Sequence, residues 1–132
     1  MIGRAKMHLS LNQIAGANLA SSEFGSGLVK RVTEACHVPI GGLTAAQIGL
    51  LIRQDIERSL LVPMAIEILE DNPLIETEFY PGDLLRTLLE LPQEYWSENQ
   101  QSWLALNSVL TQLDETIAML GDARDSFASF LT

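Results

Sequence analysis

The chain of 132 residues has one cysteine, Cys36, and two histidines, His8 and His37. A lone cysteine excludes an intramolecular disulfide and favours a reducing compartment. Paired with His37 it would be a nucleophile, but neighbouring helical residues point about 100° apart, and a small buried thiol is the better reading. Zinc needs three or four closely placed His, Cys or carboxylate ligands, and the two histidines lie in different segments. Long apolar runs are also missing. Gly49 to Ile52 and Leu60 to Ile66 fall far short of the ~18 residues of a membrane span. The opening M-I-G-R-A-K-M-H-L-S has no apolar run behind its bases, so it does not read as a secretory signal. Strand signals are nearly absent too, because β-branched residues never alternate over a useful length. The expectation is a cytoplasmic protein with no membrane, metal or cofactor.

What is present is enough for one domain with a core of its own. The hydrophobic fraction is 47%, and two Trp, two Tyr and four Phe argue against disorder. The net charge of −9 is unevenly placed: residues 1–58 carry six bases and four acids, residues 59–132 two bases and thirteen acids. Such a field repels nucleic acid and attracts cationic surfaces. An acidic surface that only aids solubility would look the same in charge alone.

Helix signals are frequent. Leu11, Ile14 and Leu19 suggest a short helical turn, and S-S-E-F-G-S-G a loop reaching Gly27. Gly27 to His37 can form a helix, stopped by Pro39 and Gly41-Gly42. Thr44 with Gln47 is a capping box opening the first strong helix, which carries Ile48, Leu51, Ile52 and Ile56 on one stripe. Pro63 predicts a boundary or kink near Leu60–Leu61. The next helix places Val62, Ala65, Ile66 and Leu69 inward, Glu67, Glu70 and Asp71 outward, and ends at Asn72-Pro73. Leu74 to Tyr80 reads as extended or looped. Pro81-Gly82-Asp83 starts a helix with Leu84, Leu85, Leu88 and Leu89 inward, and Pro92 begins a turn that delivers Tyr95 and Trp96. From Gln100 to Leu120, Trp103, Leu106, Leu110, Leu113, Ile117 and Leu120 form a 3-4 seam, to close onto the bundle or a second chain. Gly121 should end that helix, and a tail with Phe127, Phe130 and Leu131 can dock as a last one. The sum is an all-α, single-domain bundle of about five to seven helices over residues 1–132.

Chemistry is hard to find. G-G-L-T at Gly41 to Thr44 precedes a helix but follows no strand, so capping explains it better than phosphate binding. No Glu-x-x-His motif supports a di-metal bundle. An acid–base enzyme would need a carboxylate with a shifted pKa in a pocket, and no catalytic residue is assigned. Between Glu67 and Glu98 nine acids face a single base, Arg86. The segment E-F-Y-P-G-D-L-L, Glu78 to Leu85, lies within them. Pro81, Gly82 and Asp83 suit a helix start, with Phe79 and Tyr80 covering the end of the core.

Several pieces between residues 44 and 98 resemble the immunity proteins of bacterial contact-dependent growth inhibition systems. They are L-L-I-R-Q at Leu50 to Gln54, L-V-P-M-A-I-E at Leu61 to Glu67, D-N-P-L at Asp71 to Leu74, E-F-Y-P-G-D-L-L, and Y-W at Tyr95 and Trp96. Thr77 stands where that family commonly has glycine, and Arg53 where a small residue is usual. The first 40 and last 30 residues show no clear match. The resemblance implies a non-enzymatic protein that binds the C-terminal toxin domain of its cognate effector, a basic nuclease and often an RNase, in a 1:1 complex. On this reading the toxin-binding surface is built around Glu67, Glu70, Asp71, Glu76, Glu78 and Asp83. Tyr80 and Trp96 are candidate anchors, although each fits a core position better than an interface one. The competing reading is a helical adaptor or self-associating protein that uses the Trp103 to Leu120 seam.

Overall fold

The computed structural model describes residues 7–15 and 27–131. These residues form seven α-helices and no strand, which agrees with the all-α expectation. The patch at Leu19 and the loop up to Gly27 lie outside the described residues. The chain divides into two compact units, Met1–Pro92 and Gln93–Thr132.

The first unit holds α1 (Leu11–Ala15), α2 (Gly27–His37), α3 (Ala45–Arg53), α4 (Arg58–Asp71) and α5 (Asp83–Leu89). Its centre is α3, packed against α2, α4 and α5. The capping box fixes where α3 begins: the Thr44 hydroxyl accepts the Gln47 N–H at 3.1 Å, and Gln47 Oε1 accepts the Thr44 N–H at 3.0 Å. Ile48 through Ile52 are then buried without interruption, because neighbours cover the helix on several sides. Gly49 faces α5 closely, where an added Cβ would sit 3.4 Å from Leu84. Leu61, Val62, Ala65, Ile66 and Leu69 of α4 and Leu84, Leu85 and Leu88 of α5 complete the core, with Val32, Ala35 and Cys36 from α2. Burial holds the Cys36 thiol above its ordinary pKa, so it is inert. The N-terminal segment is tied on by backbone bonds from Ile40 to Leu9 (2.8 Å) and from Gly41 to Met7 (2.8 Å).

The break between the two central helices falls earlier than Pro63 suggested. Helix α4 runs through Pro63, and the chain turns instead at Asp55 and Glu57, both left-handed with φ of 57° and 47°. The Arg58 side chain closes this corner. Its Nε donates to the Ile52 carbonyl at 2.9 Å, and its Nη1 lies 3.3 Å from Asp55. Pro63 withdraws a donor from the Ser59 carbonyl, but Ser59 is exposed and water can replace it. Leu89, expected inward, is 51% exposed at the end of α5.

The second unit holds α6 (Gln93–Glu98), which carries Tyr95 and Trp96, and α7 (Gln100–Ala128). Helix α7 passes through Gly121 rather than ending there, since Gly121 is not in the left-handed conformation that a glycine stop requires. No separate last helix forms, and a short 3₁₀ turn over Ser129–Leu131 follows directly. The seam is only partly covered: Leu106 is buried, whereas Ile117 and Leu120 are 57% and 60% exposed. Among the described residues no helix is long and apolar enough to cross a membrane.

Candidate functional site

The loop between α4 and α5 is built around one carboxylate. Asn72 ends α4, and its Oδ1 accepts the Leu74 N–H at 3.2 Å. Tyr80 to Asp83 then make a turn closed by the Asp83 N–H on the Tyr80 carbonyl at 3.1 Å. Pro81 and Gly82 occupy its two central positions, and Gly82 has φ 89° and ψ 4°, the type II geometry in which glycine avoids strain. The Gly82 N–H reaches back to the carbonyls of Leu74 and Ile75, both at 3.1 Å, and closes the loop at its neck.

This turn directs Asp83 inward, where it is 3% exposed. Its Oδ1 accepts the Thr77 N–H at 3.0 Å and the Thr77 hydroxyl at 2.9 Å; Oδ2 accepts the N–H groups of Glu78 and Phe79, each at 2.9 Å. Burial by itself would raise the pKa of this acid. The amides of Phe79, Glu78 and Thr77 and the Thr77 hydroxyl outweigh it and hold the group well below the usual carboxylate range. Asp83 is therefore an ionised internal cap for three consecutive amides. This corrects its place in the expected surface: with both oxygens occupied and the side chain buried, Asp83 cannot touch a partner.

Thr77 also turns its hydroxyl inward to Asp83, but Glu78, Phe79 and Tyr80, which follow it in the loop, are exposed. Phe79 is 64% exposed and Tyr80 41%, so neither covers the end of the core as expected. Glu78 bridges Arg31 of α2 and Arg53 at the end of α3, the latter at 3.6 Å. The Arg53 guanidinium also donates to the Thr87 hydroxyl at 3.1 Å and lies 5.7 Å from the centre of the Phe79 ring. Tyr80 accepts a hydrogen bond from Arg86 at 3.3 Å through its hydroxyl. Beneath these contacts is a cleft of about 260 Å³ lined by Arg31, Glu34, Ala46, Gln47, Leu50 and Glu78.

The other expected acids are exposed: Glu67, Glu70 and Asp71 at successive positions of one face of α4, and Glu76 on the loop. None of these four forms an ion pair among the described residues, so their charge is free to act outward. Trp96 belongs to the second unit, half-buried and edge-on to Tyr95 with ring centres 5.2 Å apart. Arg31, Arg53 and Phe79 were not among the expected site residues. Arg53 carried a signal, as a large charged residue at a position where a small one is usual. Among the described residues no three His, Cys, Asp or Glu side chains gather as a metal site would require.

Residues 13–106 match the family model of the CDI immunity proteins. The match reaches further towards the N-terminus than the resemblance over residues 44–98, taking in α2 with Arg31. No curated protein and no solved structure matches the chain. A match over that share of the sequence, spanning the Asp83-centred loop and every helix packed around it, places the chain in the family of CDI immunity proteins, which are non-enzymatic toxin inhibitors.

Proposed function

We propose that this chain neutralises the C-terminal toxin domain of its cognate contact-dependent growth inhibition effector through the face formed by α4 and the 76–80 loop. It does so in the cytoplasm with one toxin domain per chain, and the toxin is a basic nuclease, an RNase in the simplest case. The observation that carries this reading is the loop itself. Asp83 fixes three consecutive amides, so Phe79 and Tyr80 are held outward at little further cost in conformational entropy on binding. Exposed aromatics on a rigid support are the residue type that supplies most of the affinity in protein interfaces. Glu67, Glu70, Asp71 and Glu76 flank them in sequence with unpaired charge, which raises the association rate with a basic surface.

The two contributions separate kinetically. The toxin domain encoded directly upstream is co-expressed with the immunity chain, and binding is followed by surface plasmon resonance and growth rescue. Reversing Glu67, Glu70 and Asp71 to Lys slows association roughly tenfold or more at low salt, and added salt slows the wild type in the same direction. Phe79→Ala instead speeds dissociation. Association and dissociation unchanged in both variants would remove this face from the interface.

A further inference from the structure

Beyond the toxin-binding face, the second unit carries a surface that the family match does not account for. The matched residues stop at 106, whereas α7 continues to Ala128. Burial along α7 ends early: Leu106 and Val109 are buried, Leu110 and Leu113 are half-buried, and every residue from 114 to 130 is exposed. Exposed large side chains in that stretch include Ile117 (57%), Met119 (64%), Leu120 (60%), Phe127 (79%) and Phe130 (86%). Their order is not random. Continuing the 3-4 seam from Leu110 gives Leu113, Ile117, Leu120, Arg124 and Phe127, a coiled-coil stripe interrupted by one base.

The charges identify what covers this stripe. Glu115, Asp122 and Asp125 all fall on the side away from the seam, and the positions bordering it are Val109, Thr116, Ala123 and Phe130 on one flank and Asp114, Gly121 and Ala128 on the other. A second acidic copy can therefore approach without acid meeting acid. Arg124 has no acid three or four residues away in its own helix, where Leu120, Gly121, Phe127 and Ala128 stand. In an antiparallel pair with Ile117 opposite Leu120 of the second copy, Leu110 meets Phe127 and Arg124 meets Leu113. That places Arg124 beside Asp114 of the second copy, the one charge bordering the stripe. A parallel pair would instead stack Arg124 on Arg124. On the stripe and its flank, the exposed parts of Ile117, Leu120, Phe127 and Phe130 offer on the order of 500 Å² per copy, and the bordering residues must supply the rest of the about 800 Å² that each partner gives to a standard interface. We infer that the C-terminal half of α7 is a homodimer interface in which two copies of this chain pair antiparallel through Leu110, Leu113, Ile117, Leu120 and Phe127, with Arg124 of each against Asp114 of the other.

Sedimentation equilibrium on the full chain, from about 1 to 200 µM, tests this. The wild type should reach twice the chain mass of 14.5 kDa. Ile117→Asp with Leu120→Asp should weaken the dimer at least about 100-fold. Because both side chains are already exposed, the thermal melt of the first unit should stay unchanged. Arg124→Asp should weaken the dimer, and adding Asp114→Arg should restore it, which an antiparallel pair allows and a parallel one does not. A wild type that stays monomeric throughout, as would follow if this face instead packs on its own chain, overturns the inference. So does a dimer indifferent to the Ile117 and Leu120 changes, and failure of the charge exchange to restore overturns the antiparallel arrangement.

Discussion

Replacing Asp83 with asparagine keeps the shape of the side chain while removing its charge and converting one acceptor oxygen into a donor. In the wild type, Oδ1 takes two donors from Thr77 and Oδ2 takes the amides of Glu78 and Phe79. Asparagine can satisfy one of these sets, and its NH₂ group then faces donors in the other. Hydrogen bonds to charged groups contribute about 1.5–3 kcal/mol each, so two lost bonds set an upper range of about 3–6 kcal/mol. Partial opening of the loop to water recovers part of that, leaving about 3 kcal/mol. For a chain of this length the melting temperature should fall by about 10 °C. The pH dependence tests the cause. Because the native pKa of Asp83 is depressed, its stabilisation is complete above the unfolded value near 3.9 and is lost as pH falls through the native one. The difference between wild type and Asp83→Asn, followed by thermal and urea melts, should therefore be flat from about pH 5 to 7 and shrink below about pH 4. A variant within about 0.5 kcal/mol of wild type, or a difference unaltered by acid, would refute the carboxylate's role as the organiser of the loop.

Gly121→Ala should stabilise α7 by about 0.5–1 kcal/mol, since an added Cβ meets nothing within 4 Å; a loss of helicity in the far-UV melt would contradict a continuous helix there. Leu51→Ala, at a side chain with 0% exposure in the central helix, should cost about 2–5 kcal/mol in urea unfolding; a cost under about 1 kcal/mol would displace α3 from the core. Glu78→Gln should cost at most about 1 kcal/mol, because its partners Arg31 and Arg53 are 46% and 31% exposed. A larger loss would mean that the ion pairs, rather than Asp83, hold the loop.

The sequence was legible where local chemistry decides the structure. Thr44 and Gln47 marked a helix start because a capping box depends on two side chains three residues apart. Val62, Ala65, Ile66 and Leu69 marked the buried face of α4 through their period alone. It misled where a residue's usual effect can be absorbed. Pro63 lies within a helix because Ser59 is exposed, and the turn fell to Asp55 and Glu57, non-glycine residues with no strong turn signature. Gly121 lacks the left-handed conformation that would have stopped α7. The site was legible in outline, as an acidic stretch holding a Pro-Gly turn. Its internal logic was not, because Asp83 and Glu67 are alike in one dimension and opposite in three: one is buried among amides, the other open to solvent.

That contrast bears on the proposed interface, in which an acidic protein would hold a basic toxin. Charge acts over about a Debye length, roughly 8–10 Å at physiological salt, so Glu67, Glu70 and Asp71 can steer a partner without touching it. Glu78 contributes little to that steering, since Arg31 and Arg53 offset its charge where it stands. Its part is instead mechanical, tying the loop to α2 and α3, as Arg53 does again beneath the Phe79 ring. Two of the acids nearest the aromatic pair are thus spent within the protein, Asp83 on the loop's amides and Glu78 on two arginines. Of the acids left free, Glu67, Glu70 and Asp71 lie on α4, outside the loop that carries the two rings, and Glu76 lies within it. Burying a carboxylate in an interface is costly unless it meets a well-placed partner, whereas burying Phe79 is favourable against almost any apolar surface. On the proposed function, association would depend on the free charge of α4 and the toxin's basicity, and dissociation on how well the toxin's surface receives Phe79 and Tyr80.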